Sequence, residues 1–301
     1  MYWDKLGQLF EPHAIHPWMQ SHAANCVAEN LHGDVFRIYF STRTKENRAH
    51  IGYIDLELKP PFTVLAISDE PVLCPGEIGT FDDSGVSLSC MLTVNNKKFL
   101  YYLGWNLGVT VPWRNSIGLA ILNETTGRYE RYSQAPLMDR GHVDPFSISY
   151  PFVFEDSGLY RMWYGSNLGW GSKIEDMAHL IKYAESTDAL HWNRSGRIAI
   201  PFKNEAEYAM SRPFVIKEKG IYKMWYSYRG LSYRIGYAES SDALNWIRKD
   251  ELSGINISPS GWDSESVEYP FIFDHKGERY MLYNGNGYGK TGFGLAILRK
   301  N

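Results

Sequence analysis

Apolar and polar residues alternate along most of the chain in short runs, and one compound pattern recurs. A run of β-branched and aromatic residues leads into a tight polar turn and then a second apolar run, which is typical of a β-hairpin. The strongest copies are YPFVFEDSGLYRMWYGS (150–166), RPFVIKEKGIYKMWYSY (212–228) and YPFIFDHKGERYMLYNG (269–285). Weaker copies are CVAENLHGDVFRIYFST (26–42) and CMLTVNNKKFLYYLGW (90–105).

Each copy continues into a third apolar run, and four of the five copies continue into a fourth. The spacing is regular, since Pro151 to Pro213 spans 62 residues and Pro213 to Pro270 spans 57. Periodic four-stranded units are typical of a β-propeller. The pattern therefore predicts an all-β protein, a five-bladed β-propeller with four-stranded antiparallel blades, and a single domain over residues 1–301. A large β-sandwich is the structural alternative.

The last copy ends after its third run, at Asn301. The N-terminal segment GQLFEP (7–12) is similar to EPVLCP (70–75), which precedes the second copy, so it is expected to supply the missing strand. Pairing the two chain ends in the last blade removes an open sheet edge. One helix-like stretch, KIEDMAHL (173–180), interrupts the pattern inside a predicted loop.

Charge and composition limit the kinds of partner that the protein is expected to bind. The formal net charge is −3, which gives no electrostatic basis for binding nucleic acid or an anionic membrane. No apolar run approaches the roughly 20 residues of a spanning helix, and the start, MYWDKLGQLF, is unlike a signal peptide, so a cytoplasmic protein is expected. No residue spacing suggests a metal site, and no cofactor is predicted. The 10 Trp and 21 Tyr suit a β-rich core and also stacking on sugar rings.

The loops predict where function lies. Long connections between the second and third strands, and the connections into each first strand, gather at one end of the predicted propeller. The residues just before each hairpin then face a central funnel; they are His22, Asn25, Asp83, Asp144, Glu207, Arg212, Glu265 and Glu268. Carboxylates that converge on an aromatic-rimmed funnel suit glycosidic chemistry, which needs an acid and a base. The alternative is that several of them cap turns or pair with Arg212.

The blade phrases, such as YKMWYS and IGYAESSDALNW, resemble those of the five-bladed propeller glycosidases, notably glycoside hydrolase families 43, 32, 68 and 130, over nearly the whole chain. In families 43 and 32 the general acid is a Glu two residues before a Pro at the start of a blade. The segment VEYPFIF gives Glu268 that relation to Pro270. The resemblance therefore implies that Glu268 is a general acid.

The chain also departs from that pattern. Tyr150 precedes Pro151 where the resemblance leads one to expect the Asp of the base or nucleophile, and the nearest acid is Asp144. Arg212 stands in the slot of the Asp that tunes the acid. An Arg in the funnel suits an anionic substrate group such as a phosphate or a sugar carboxylate, a logic that resembles family 130.

The sequence thus predicts a carbohydrate-active enzyme that cleaves or transfers a glycosidic bond of a small saccharide or glycoside. Glu268 is the predicted acid, and Asp144 or Asp83 is the predicted base. The predicted substrate-binding residues are His22, Asn25, Arg43, Trp105, Trp113, Tyr150, Trp170, Glu207, Arg212 and Tyr269. Two alternatives stay open: a non-catalytic glycan-binding propeller, and a propeller recruited to other small-metabolite chemistry. Two carboxyl groups facing each other roughly 5–10 Å apart would favour the enzyme.

Overall fold

The structure is a computed structural model of the chain, and it describes residues 2–170 and 177–299. The hairpin turns explain why the repeated phrase folds as it does. In four hairpins both central turn residues have positive φ; these pairs are Asn95-Asn96, Ser157-Gly158, Lys219-Gly220 and Lys276-Gly277. Turns of this kind have the twist that matches paired strands. The predicted hairpins are confirmed by antiparallel pairing on both sides of each turn.

The described residues form twenty strands, which fall into five groups of four antiparallel strands, called units one to five below. Single parallel bridges, Ala49–Gly85 and His179–Ala209, join unit one to unit two and unit three to unit four. Unit one comprises β2 (Ser21–His32), β3 (Val35–Arg43), β4 (Ala49–Glu57) and β5 (Val64–Ile67). Unit two comprises β6 (Gly85–Val94), β7 (Lys97–Leu107), β8 (Trp113–Asn123) and β9 (Arg128–Arg131). Unit three comprises β10 (Ile148–Asp156), β11 (Leu159–Gly169), β12 (Ala178–Ser186) and β13 (Asn193–Ile200). Unit four comprises β14 (Ala209–Glu218), β15 (Ile221–Arg229), β16 (Tyr233–Ser240) and β17 (Ile247–Arg248).

Unit five joins the two ends of the chain. It comprises β18 (Glu268–His275), β19 (Glu278–Asn284), β20 (Phe293–Arg299) and the N-terminal strand β1 (Tyr2–Phe10). Strand β1 runs antiparallel to β20 from the Tyr2–Arg299 pair to the Phe10–Phe293 pair. The predicted N-terminal strand is confirmed, although it starts before the predicted segment 7–12.

The buried apolar side chains of the described residues lie between neighbouring units. One cluster joins units one and two, and others join two and three, three and four, and four and five. A further cluster closes the cycle, because Phe10 and Phe293 of unit five pack against Phe40 of unit one. A cyclic series of cores belongs to a propeller-like all-β fold, whereas a sandwich has its core between two sheets.

Helical structure is sparse in the described ranges. It is confined to a 3-10 turn at Asp250–Leu252 and a short helical turn, α1, at Asn286–Gly289. The predicted helix at 173–180 lies partly outside the described residues, and its last part is wrong, because residues 178–180 open strand β12. Neither described helix has the length and apolar character needed to cross a membrane.

Candidate functional site

One position near the start of each unit's first strand lies at the centre of the molecule. Its occupants pair across to the second strand in the same register in all five units. These ring positions are Ala24, Ser87, Ser149, Ser211 and Glu268. Four of the five side chains are small, and only unit five places a carboxyl group there.

The residue after the ring position is strained in four units. Asn25, Tyr150, Arg212 and Tyr269 have φ values of 60, 41, 51 and 56°, in the left-handed region that non-glycine residues rarely adopt. A register shift accompanies each of them, so each is part of a β-bulge. A proline follows in units three to five, where the bulge spares a ladder hydrogen bond that proline cannot donate. Such strain is concentrated at functional sites in proteins generally.

Four of the five ring positions line a two-part cavity. The inner part has a volume of about 170 Å³ and is lined by Ala24, Ser87, Ser149 and Ser211, among others. The outer part has a volume of about 380 Å³. Both parts share lining residues, including Arg43 and Trp113, so they form one funnel. The outer volume is within the usual range for small-molecule sites.

Seven of the predicted site residues line this funnel. His22, Asn25, Arg43, Trp113, Tyr150 and Tyr269 line the inner part, and Trp105 lines the outer part. Trp170 supports the rim, because its ring packs edge-on against that of Trp113 with the ring centroids 5.5 Å apart. The structure therefore brings most of the predicted binding residues together.

Glu268 lies behind the funnel wall. Both carboxyl oxygens are buried, and neither has a hydrogen-bond partner in the described part of the chain. Burial raises the pKa of Glu268 to about 8; the nearby Tyr288 amide, which lacks hydrogen-bonding geometry, and the Arg229 guanidinium only partly oppose this shift. Glu268 is consequently protonated in most molecules at neutral pH.

Tyrosines form the wall in front of Glu268. Tyr269 packs against Tyr150 and Tyr233, at centroid distances of 6.2 and 5.9 Å, and Tyr233 packs edge-on against Tyr288 at 5.9 Å. Burial, and then the neighbouring Glu268 carboxyl, raise the pKa values of Tyr233 and Tyr269. All four rings line the inner cavity, which gives the funnel one continuous aromatic side.

Two neutral histidines face the same cavity. Burial, with Arg43 and Lys290 nearby, lowers the pKa of His22 to about 4. Burial also lowers the pKa of His179, whose Nδ1 lies 2.8 Å from the Met210 carbonyl oxygen. That contact requires a proton on Nδ1, so Nε2 of His179 is a hydrogen-bond acceptor. The funnel therefore combines apolar rings with neutral polar groups.

Besides Glu268 and Trp170, four predicted site residues do not line the funnel, and neither does Glu265. Asp144 is buried in unit three, where it accepts hydrogen bonds from Tyr164, Ser166, Lys182 and Arg194 at 2.7–3.0 Å. These contacts hold its pKa below the usual range even though burial acts in the other direction. As a base it is misplaced, because four donors already occupy its carboxylate.

Three more predicted residues also have hydrogen-bond partners outside the funnel: Asp83, Glu207 and Arg212. Asp83 accepts hydrogen bonds from the Gly79 amide and the Ser84 hydroxyl in the loop before β6. Glu207 forms a bidentate ion pair with Arg248. Arg212 is buried and donates to three backbone carbonyl oxygens; these belong to Cys26, Leu88 and Ser89. None of the three lines either part of the funnel.

A repeated structural device explains these carboxylates. In three units a tyrosine on the second strand donates its hydroxyl hydrogen bond to an aspartate in the segment before the first strand. The pairs are Asp82–Tyr102, Asp144–Tyr164 and Asp263–Tyr283, and the two residues of each pair are 20 positions apart. A cation from the unit's fourth strand completes each group: Arg131, Arg194 and Lys5, respectively. Asp144 is therefore one copy of a repeated group that stabilises its unit.

The sequence did not single out several lining residues. These are Ser41, Thr42, Ser87, Asn115, Ser149, Asn167, Met177, His179, Tyr208, Ser211, Arg229, Tyr233 and Tyr288. The serines at ring positions could have been found from the shared register of the repeats. Within the described ranges, no three His, Cys, Asp or Glu side chains are grouped so that they could hold a metal ion.

No protein-family model matches the chain. The uncharacterized protein Rv1502 of Mycobacterium tuberculosis (strain ATCC 25618 / H37Rv) is 48% identical over 298 residues, which are 99% of each chain. The chain belongs to the Rv1502 family. The uncharacterized protein MT1551 of strain CDC 1551 / Oshkosh matches at the same identity and coverage.

Solved structures extend the comparison to glycosidases. A thermostable family-43 glycoside hydrolase matches with a TM-score of 0.68 and 18% identity, over 97% of this chain and 94% of that chain. A putative glycosidase from Bacteroides thetaiotaomicron matches with a TM-score of 0.72 and 15% identity, over 98% and 96%. The GH32 β-fructofuranosidase BmSUC1 of Bombyx mori has a TM-score of 0.63 and 14% identity, over 94% of this chain and 63% of that chain. The chain has the fold of the propeller glycosidases, as the resemblance to families 43 and 32 implied.

Proposed function

We propose that the chain is a single-domain, five-bladed propeller and a carbohydrate-active enzyme of the glycoside hydrolase type, with Glu268 as its general acid. The observation that carries the proposal is the contrast at the ring positions. Four hold Ala or Ser, and the fifth holds a buried carboxyl group that has no hydrogen-bond partner among the described residues. An unpaired buried carboxyl group is costly to maintain for packing alone, which favours a role in chemistry.

The proposed reaction uses the proton that Glu268 holds at neutral pH. Glu268 donates this proton to the oxygen of the leaving group as the bond from that oxygen to the anomeric carbon breaks. Water, or the hydroxyl group of an acceptor, then adds to the anomeric carbon and gives its proton to the Glu268 carboxylate, which restores the acid. The tyrosine rings and Trp113 provide flat apolar surfaces for the sugar, and Nε2 of His179 accepts a hydrogen bond from a hydroxyl group.

Proton delivery also requires access through the wall. The backbone amide of Tyr288, in the turn α1, lies near Glu268, and Gly287 and Gly289 in that turn have positive φ. Tyr288 is 40% exposed, and its hydroxyl accepts a hydrogen bond from Arg229. A small displacement of this glycine-rich turn would open Glu268 to a bound saccharide.

A non-catalytic glycan-binding propeller is the second candidate. The observation in its favour is that no Asp or Glu of residues 2–170 and 177–299 lines either part of the funnel. A second carboxyl group facing Glu268 is therefore missing from the described lining, although the usual glycosidase mechanism employs two.

A screen with aryl glycosides and sugar phosphates, combined with calorimetric binding, separates the two candidates. On a substrate with a poor leaving group, Glu268→Gln should lose roughly 10²–10⁴ in rate, because the amide has no proton to transfer. Activated aryl glycosides should lose less. Glu265→Gln, on the exposed loop before β18, is the matched control and should behave as wild type. Equal rates for Glu268→Gln and wild type would remove Glu268 from the mechanism, and binding without turnover would favour the glycan-binding protein.

A further inference from the structure

Two arginines of the funnel lack the carboxylate partners that several other arginines of the described residues have. Arg131, Arg194 and Arg248 each form an ion pair with a buried carboxylate. Arg43 and Arg229 form no ion pair within the described ranges, although both line the outer cavity. The hydrogen bonds from Arg43 and Arg229 go to neutral oxygens, those of Asn47 and Tyr288 respectively.

The guanidinium of Arg229 is held among aromatic rings. It lies 5.5–5.6 Å from the ring centroids of Tyr208, Tyr233 and Tyr288. Its Nε is buried and has no hydrogen-bond partner in the described part of the chain. The rings orient the cation but leave donor capacity unused, and a buried donor without an acceptor is destabilising.

The remaining funnel lining does not offset these charges. Its described part contains no Asp or Glu, and His22 and His179 are neutral at pH 7. Glu268, behind the wall, is mostly protonated at that pH. Both formal charges of the described lining are therefore positive, in a partly enclosed site where electrostatic attraction is stronger than in water.

We propose that the natural ligand carries an anionic group, a carboxylate or a phosphate, which Arg43 and Arg229 bind in the outer part of the funnel. The guanidinium fork matches both kinds of oxyanion. Arg212, which the sequence suggested for this role, already donates to backbone carbonyl oxygens. The inference names the ligand class of the proposed carbohydrate site, and it rests on that site being occupied by a saccharide.

Calorimetry on the full chain tests the inference with matched ligands. Hexoses are compared with the corresponding hexuronates and hexose 1-phosphates, and inorganic phosphate is measured alone. Anionic members should bind at least about tenfold more tightly than their neutral counterparts, and 0.5 M NaCl should weaken that preference. The uronate and phosphate arms identify which anion the site selects. Inorganic phosphate binding as tightly as any hexose phosphate would overturn the claim that the anion belongs to a saccharide.

The variants locate the effect. Arg229→Ala and Arg43→Ala should each reduce the affinity for the anionic ligand about tenfold or more, with little effect on a neutral hexose. Arg229→Lys should restore only part of the loss, because the lysine ammonium lacks the planar fork. Arg128→Ala is the matched control at an exposed arginine that pairs with Glu70 outside the funnel.

The outcomes separate the two proposals. Equal binding of neutral and anionic sugars would overturn the anionic ligand while leaving the carbohydrate site in place. Selective anion binding without any glycoside turnover would support the inference and count against the glycosidase. If no sugar of either class binds, both proposals fail.

Discussion

Asp144 and Glu268 are two carboxyl groups that the same fold buries almost completely, at 0% and 1% exposure, in opposite ways. Asp144 accepts four hydrogen bonds, two of them from the cations Lys182 and Arg194, and its pKa is lowered. Glu268 accepts none from the described residues, and burial raises its pKa to about 8. Burial alone therefore does not mark a catalytic carboxyl group. The number of hydrogen-bond donors that already bind the carboxyl group distinguishes one that stabilises the fold from one that is available for chemistry.

The largest effect is expected from deleting strand β1, which supplies the cation for Asp263, the counterpart of Asp144 in unit five. Strand β1 supplies Lys5 to Asp263 at 2.6 Å, Trp3 to the core between units four and five, and Phe10 to the core that closes the ring. Deletion of residues 1–10 should leave β20 as an open edge and Asp263 without its cation. We expect no stably folded, soluble protein, as measured by circular dichroism and size-exclusion chromatography.

A substitution on the exposed face of β1 is the control for this deletion. Replacing Tyr2 with Ser, at 49% exposure, should change the free energy of unfolding by less than about 0.5 kcal/mol. A deletion variant that unfolds with wild-type stability would contradict the closure of unit five by β1.

The next test removes one carboxylate. Asp144→Ala leaves Lys182 and Arg194 partly buried without their anion, so the free energy of unfolding should fall by about 3–5 kcal/mol in urea titrations. Asp83→Ala should cost much less, because Asp83 holds only loop contacts. An Asp144→Ala variant that folds with wild-type stability but lacks glycosidase activity would return Asp144 to the candidate catalytic residues.

The fold was predictable because its signals repeat. Hairpin turns, the spacing of the copies and the missing last strand all point to the same architecture, and neighbouring copies reinforce one another. The 20-residue Asp–Tyr spacing was also present in the sequence, and it could have identified Asp144 as structural. The cation that pairs with each carboxylate comes from the fourth strand, as Arg194 pairs with Asp144. The position of the fourth strand along the sequence varies between units, so this pairing was not predictable.

The site was less predictable because its residues do not repeat. The VEYPFIF motif led to the prediction that Glu268 is the acid, but it gave no sign that tyrosines separate Glu268 from the cavity. His179 was hidden by a helix-like pattern, although it belongs to strand β12. Arg229 and Tyr288 meet only through the folding of units four and five. Single-copy residues at strand ends carry no periodic signal, so tertiary structure alone brings them together.

The pH dependence of stability tests the environment of Glu268. Its pKa is about 8 in the folded state and about 4.5 in the unfolded state, so between these values the folded state binds more protons. Stability should therefore fall as the pH rises through this window, and Glu268→Gln should remove that loss. We expect the variant to match wild type near pH 4 and to exceed it by about 1–3 kcal/mol at pH 8. Urea titrations across this range measure the difference, and a difference that is constant with pH would contradict an unpaired, buried Glu268.

His22 should produce a smaller effect of opposite direction. Its folded-state pKa is about 4 and its unfolded value about 6.5, so the unfolded state binds more protons between them, and stability is lost as the pH falls through this window. Asn is suited to replace it, because residue 22 has a φ of 63°, a conformation that Asn adopts more readily than most residues. Relative to wild type, His22→Asn should gain about 1 kcal/mol between pH 7 and pH 4.5. His13→Asn, at an exposed histidine, is the control and should show no such gain. If both variants respond alike, the acid sensitivity does not arise in the funnel. A gain confined to His22→Asn would mean that burial, together with Arg43 and Lys290 nearby, disfavours a proton on His22 in the folded state.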